Sequence, residues 1–184
     1  MPSGEIGLVG LGIMGKPMAR NMMEAGYSVT VFDLVGSAME EVVTDGAKAG
    51  SSAKEVAEAA PVVITMVPDS PQSEAAILGP NGVLEGASAG SVVIDMSSIA
   101  PGSSQKIAAA CEAAGVAFLD APVSGGEPGA VAGTLAIMVG GKQDVFDTQL
   151  ELLESMGGSI VLCGDYGAGN TTKLANQIIV AANI

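Results

Sequence analysis

Glu5-Ile6-Gly7-Leu8-Val9-Gly10-Leu11-Gly12-Ile13-Met14-Gly15 is a short apolar strand running directly into glycines at positions 10, 12 and 15. Each glycine has a distinct physical task in such a turn. Gly10 permits the tight reversal, Gly12 lets a ligand's pyrophosphate approach the backbone, and Gly15 lets the following helix pack closely on the strand. The helix expected over 13–25 then offers its free N–H groups to phosphate, with Leu11, Ile13 and Met14 as the loop residues between the glycines. Asp33 closes the next apolar run, 18 residues past Gly15, where an acidic side chain accepts from ribose hydroxyls. A glycine-rich turn without ligand shares the three glycines. The strand before, the helix after and Asp33 together favour a dinucleotide.

Outward from that unit, apolar runs alternate with amphipathic stretches of helical length, which predicts right-handed βαβ crossovers. Strands are expected near 5–10, 28–33, 62–67, 91–95, 116–120, 134–139 and 159–162. Helices are expected near 13–25, 37–45, 52–59, 71–78, 102–114, 143–156 and from 168 onward. The fold class is therefore α/β, a Rossmann-like doubly wound and mostly parallel sheet ending in the start of a long interdomain helix. Residues 1–163 form the nucleotide-binding domain and 164–184 the start of that helix. The loops Met66-Val67-Pro68-Asp69-Ser70 and Asp95-Met96-Ser97-Ser98 fall at the carboxyl edge of the sheet, where α/β proteins bind ligands. Val67, Pro68 and Ser98 are candidate walls for the nicotinamide half, while Asp69 and Ser70 serve equally well as helix caps.

Composition excludes several classes. The 184 residues carry a formal net charge of −13, no histidine, no tryptophan and 3% aromatics, so nucleic acid and anionic membrane surfaces are not expected partners. Without histidine, and with only Cys111 and Cys163 far apart, no zinc set or histidine-assisted nucleophile is expected, and both cysteines read as buried thiols. Mean hydropathy is +0.48, yet no apolar run approaches the roughly 20 residues that span a bilayer. Met1-Pro2-Ser3-Gly4-Glu5 lacks the basic start of a signal peptide. The cytoplasm is the expected compartment.

Two further clusters carry chemistry. In Asp120-Ala121-Pro122-Val123-Ser124-Gly125-Gly126, Ser124 offers a hydroxyl and Gly125 and Gly126 can turn their N–H groups together into a nest for a carboxylate; an ordinary Gly-Gly turn has the same composition. In Gly167–Gln177, Lys173 sits near the start of a largely apolar helix, flanked by Asn170 and Asn176 at helical spacing. In a chain without histidine, Lys173 is the natural proton donor, although a lone lysine is usually solvated. A helix N-terminus and partial burial both disfavour its ammonium form. The helix lacks stop signals before Ile184 and presents Leu174, Ile178 and Ile179, which predicts burial on more than one side and continuation into a further domain.

These motifs in this order resemble the β-hydroxyacid dehydrogenase family, which includes 3-hydroxyisobutyrate and 6-phosphogluconate dehydrogenases. The resemblance implies that Lys173 is the catalytic acid/base, that Asn176, Ser124, Gly125 and Gly126 bind the substrate, and that Gly10–Gly15 hold the cofactor. Asp33, with no Arg or Lys in Leu34-Val35-Gly36-Ser37, favours NAD over NADP. Within the family, Asp95–Pro101 and Ser124–Pro128 point to tartronate semialdehyde (2-hydroxy-3-oxopropanoate) as the small semialdehyde reduced to D-glycerate, with the hydroxyisobutyrate reaction second. The alternative from another class is an inert NAD-binding module. The resemblance further implies an all-helical C-terminal domain that supplies another lysine and a homo-oligomer interface, and that is absent from these 184 residues.

Overall fold

The computed structural model describes residues 4–183. Met1, Pro2 and Ser3, read above as lacking a basic leader, and Ile184, the last residue of the final expected helix, lie outside them. In chain order the elements are β1 (Glu5–Val9), α1 (Gly15–Glu24), β2 (Ser28–Phe32), α2 (Gly36–Thr44), β3 (Lys48–Ala49), α3 (Ala53–Ala59), β4 (Val62–Thr65), α4 (Ser70–Leu78) and α5 (Val83–Gly86). Then follow β5 (Val92–Asp95), α6 (Pro101–Ala113), β6 (Ala117–Asp120), β7 (Val123–Ser124), α7 (Gly126–Val131), β8 (Leu135–Gly141), α8 (Gln143–Glu154), β9 (Gly157–Gly164) and α9 (Ala168–Asn183).

The strands form one sheet in the order β3-β2-β1-β4-β5-β6-β8-β7, with β9 beside β8. From β3 to β6 every pairing is parallel; β8 runs antiparallel to β6 and β7, and β9 parallel to β8. The expected mostly parallel, doubly wound sheet is borne out. Its strands are nearly continuous apolar runs because helices cover both faces. Along β4 and β5 the side chains alternate between the two layers: Ile64 and Ile94 join the core that holds Met18, Met22 and Leu153, while Val63 and Val93 join the one that holds Val56, Ile77 and Ile107. The chain order reverses at β1, whose neighbours β2 and β4 lead away in opposite directions, and such a reversal opens a crevice at the strand ends.

The differences from expectation are local. β3 and β7 are two-residue strands and α5 and α7 short helices that the sequence pattern did not announce, and α1 starts at Gly15 rather than 13. Cys163 is half-exposed, whereas Cys111 is buried and its thiol is pushed up to about 12 by desolvation. No helix among the described residues is long and apolar enough to cross a membrane.

Candidate active site

The crevice at the β1 reversal is a cleft of about 950 Å³ lined by Gly10, Gly12, Ile13, Met14 and Gly15 from the first loop. Asp33 and Leu34 after β2, Ser51 and Ser52 after β3, Val67 and Pro68 after β4 and Ser98 after β5 complete it. The glycines differ in what surrounds them. A Cβ on Gly15 would strike the carbonyl oxygen of Gly10, so the close approach of α1 to β1 demands glycine there, whereas a Cβ on Gly12 would meet nothing and project into open space. That space lies at the start of α1, which no side chain caps; Lys16 N–H donates to the Gly12 carbonyl at 3.2 Å and Pro17 has no N–H, so the Gly15 amide and the helix dipole are what this end offers an anion. The Asp33 carboxylate accepts from the Leu11 amide at 2.6 Å and the Val35 amide at 2.8 Å, tying the glycine loop to the end of β2. An uncapped helix start, a glycine where a substituent would enter the cleft, and a carboxylate at the β2 end fit a dinucleotide.

The neighbouring loops are held by a buried network. Asp95 pairs in register with Thr65, accepts from its hydroxyl at 2.9 Å and from the Ser97 amide at 3.1 Å, and the Ser97 hydroxyl accepts from the Val67 amide at 2.9 Å. Val67 and Ser98 are thereby fixed relative to each other across the cleft. Complete burial pushes the Asp95 carboxyl up, with Ser73 beside it, although neither Asp95 Oδ2 nor Ser73 Oγ forms a hydrogen bond. Asp69 caps α4 by accepting from the Ser70 amide at 2.7 Å.

The second half of the site is assembled on α9. Lys173 is 8% exposed and takes part in none of the ion pairs among the described residues. Desolvation lowers its pKa below the ordinary lysine value, because water no longer stabilises the ammonium. Asn176, one turn on, donates from Nδ2 to the Ser124 hydroxyl at 3.3 Å. Motifs 52 residues apart thus meet one helical turn from Lys173. Gly125 and Gly126 follow with φ of 141° and 61° at the start of α7, backbone angles that side chains disfavour.

Sequence spacing grouped Asn170 with Asn176 as a polar patch, and the structure separates them. Asn170 is buried; its Oδ1 accepts from the Ile99 amide at 2.9 Å and its Nδ2 donates to Ser104 Oγ at 3.1 Å. It ties α9 to the loop bearing Ser98. The expected burial of the apolar side of α9 also does not occur among the described residues: its buried residues are Gly169, Asn170 and Lys173, while Ile178 and Ile179 are 72% and 61% exposed. A further residue, Asp120, went unrecognised because its partners are remote. Its buried carboxylate accepts from the Gly167 amide at 2.7 Å and the Asn170 amide at 2.9 Å, capping α9 from the end of β6, and burial nonetheless raises its pKa.

A mostly parallel sheet in this order, with a glycine-rich β1–α1 turn and an acidic β2 end, defines a nicotinamide-dinucleotide-binding domain of the Rossmann class. More particularly, the chain belongs to the family described as the NAD binding domain of 6-phosphogluconate dehydrogenase, whose model matches residues 5–164. It is 45% identical over 180 residues to 2-hydroxy-3-oxopropionate reductase of Escherichia coli K12, covering 98% of this chain and 61% of that protein. It is likewise 45% identical over 177 residues to the NAD-dependent L-serine dehydrogenase of Pseudomonas aeruginosa, covering 96% and 59%. Among solved structures, 3-hydroxyisobutyrate dehydrogenase of Mycobacterium tuberculosis with L-serine superposes with a TM-score of 0.93 at 37% identity, over 98% of this chain and 61% of that one. The chain spans 53–61% of the length of these and other curated relatives it matches.

Proposed function

We propose that this chain is the cofactor-binding and proton-transferring part of an NAD-dependent hydroxyacid dehydrogenase, and that its reaction is the reversible reduction of tartronate semialdehyde to D-glycerate. The observation that carries this reading is the meeting of Ser124 with Asn176 one helical turn from the buried, unpaired Lys173. The bound nicotinamide would supply hydride transfer at the substrate's carbonyl carbon.

The chain's own residues supply the rest. Gly12 and the uncapped start of α1 receive the pyrophosphate, Asp33 the ribose hydroxyls, and Val67, Pro68 and Ser98 flank the nicotinamide half. Ser124, Gly125 and Gly126 hold the substrate carboxylate with a hydroxyl and backbone N–H groups, and Asn176 orients it. Lys173 Nζ, as ammonium, gives a proton to the oxygen on which negative charge develops, and takes it back in oxidation. Desolvation readies it for this, because a lysine with a lowered pKa exchanges protons closer to neutral pH. The segment that completes the relatives' length would close the substrate side and form the contacts of a homo-oligomer.

Tartronate semialdehyde ranks first because of Asp95–Pro101 and Ser124–Pro128, and because the reductase of that name is among the 45% identical relatives. The hydroxyisobutyrate reading is favoured by the M. tuberculosis structural match. An NADH-oxidation assay of the complete protein with tartronate semialdehyde beside methylmalonate semialdehyde, and of NAD reduction with L-serine, separates them. The highest kcat/KM is expected for tartronate semialdehyde, and a preference for either other substrate overturns the assignment.

A further inference from the structure

Asp33 borders two spaces. One is the cleft; the other is an adjoining recess of about 500 Å³ whose walls include Lys16 and Arg20 from α1 and Ser37 and Glu41 from α2. The four residues after Asp33 hold no cation, yet folding brings two cations to the ribose end of the site from the opposite helix. Both are already engaged. Glu41 pairs with Lys16 through Oε2 and with Arg20 Nη2 through Oε1 at 2.9 Å, and Arg20 Nε donates to Asp45 Oδ2 at 2.7 Å. The two cations hold the Glu41 carboxyl below the usual carboxylate range, and the two carboxylates hold the Arg20 guanidinium up. The charges of the quartet cancel, leaving the carboxylates of Asp33 and of Glu127, which also lines the recess, to set the sign of the field on a ribose bound there.

We infer that Glu41 is a specificity-determining residue that acts through Lys16 and Arg20, withholding them from a 2′-phosphate and so excluding NADP. The inference rests on the reading of the cleft as a dinucleotide site and deepens it: discrimination is built from two acidic positions, Asp33 repelling the phosphate and Glu41 occupying the cations that would otherwise attract it. Of the two cations, Lys16 depends on Glu41 more. Its ion pair among the described residues is with Glu41, whereas Arg20 keeps Asp45.

Fluorescence titration of NADH and NADPH into the wild type, Glu41→Gln, Glu41→Asp and the double variant Glu41→Gln/Lys16→Met tests it. Glu41→Gln is expected to tighten NADPH binding by about three- to tenfold relative to NADH, the worth of one or two solvent-exposed charge contacts. The gain should fall as salt is raised from about 0.05 to 0.5 M, since exposed charges are screened. Glu41→Asp should keep the wild-type selectivity, and adding Lys16→Met should remove most of the gain, neither of which a general loosening of α2 would do. An NADPH-to-NADH affinity ratio unmoved by Glu41→Gln, or a gain that survives both salt and Lys16→Met, overturns the inference while the cofactor site stands. Failure of the wild type to bind either dinucleotide overturns the cofactor reading, and this inference with it.

Discussion

A buried, unpaired Lys173 ammonium sets the role proposed for it against stability at a single side chain. Its pKa is lowered by desolvation, so the folded state binds fewer protons than the unfolded chain between that value and the ordinary lysine value. Stability therefore rises with pH through that window. Lys173→Met removes the charge while keeping an apolar stem, and is expected to raise stability at pH 7 by about 1 kcal/mol, or roughly 2–4 °C in Tm. The same substitution should lower kcat of the complete enzyme by about 10²- to 10⁴-fold. Melting curves and initial rates on one preparation check both signs. In the unsubstituted enzyme, kcat/KM for reduction should fall as pH rises through the lowered pKa of Lys173, and that for oxidation should rise; identical profiles in the two directions would remove Lys173 from the proton path. Asp95 behaves differently. Asp95→Asn can still accept from Thr65 and Ser97 and can offer an N–H toward the unpartnered Ser73 hydroxyl. It should stay within about 1 kcal/mol of the wild type in denaturant unfolding, whereas Asp95→Ala, which orphans buried donors, should cost about 2–4 kcal/mol.

The β1–α1 turn was legible in sequence because its logic is contained in eleven consecutive residues, and its glycines give opposite predictions. Gly12→Ala places a methyl in open space within the cleft, so thermal stability should be unchanged while dinucleotide affinity falls at least about tenfold, as backbone approach is blocked. Gly15→Ala drives a Cβ into the Gly10 carbonyl, so it should destabilise by about 1–3 kcal/mol whether or not cofactor is present. Comparing melting with NADH titration separates them. Other elements had no local signature. β3 and β7 exist only through pairs such as Thr30↔Lys48 and Val123↔Ile137, and two residues are too few to display alternation. Asp120 caps α9 across separations of 47 and 50 residues, so its sequence neighbourhood announced a ligand loop and nothing of the helix. Helical spacing put Asn170 and Asn176 each within one turn of Lys173. It could not say that Ile99 and Ser104 wait opposite the first and Ser124 opposite the second.

At the scale of the molecule, the exposed Leu174, Ile178 and Ile179 of α9 form an apolar surface beside a polar buried end. The chain of 184 residues is expected to self-associate as its concentration rises, and Ile178→Glu with Ile179→Lys should return it to a monomer by light scattering while NADH binding persists. A wild-type chain that stays monomeric would assign that surface no role in association. The way α9 begins has a consequence for how such enzymes can be recombined. Gly169 sits where a Cβ would collide with the carbonyls of Met138 and Asp120, and Gly140 where one would crowd the Gly169 amide and the Asp120 carboxylate. With no room for even a methyl group, the first turn of α9 cannot slide by one residue along the sheet, since Asn170 or Ala168 would then occupy the slot. The azimuth of Lys173 is thus mechanically indexed to β6 and β8, like a key cut to one depth. Chimaeras that exchange downstream segments after Gln177 should keep Lys173 oriented as it is here, whereas a junction placed between Gly164 and Lys173 should lose the alignment even when every residue proposed for the site is retained.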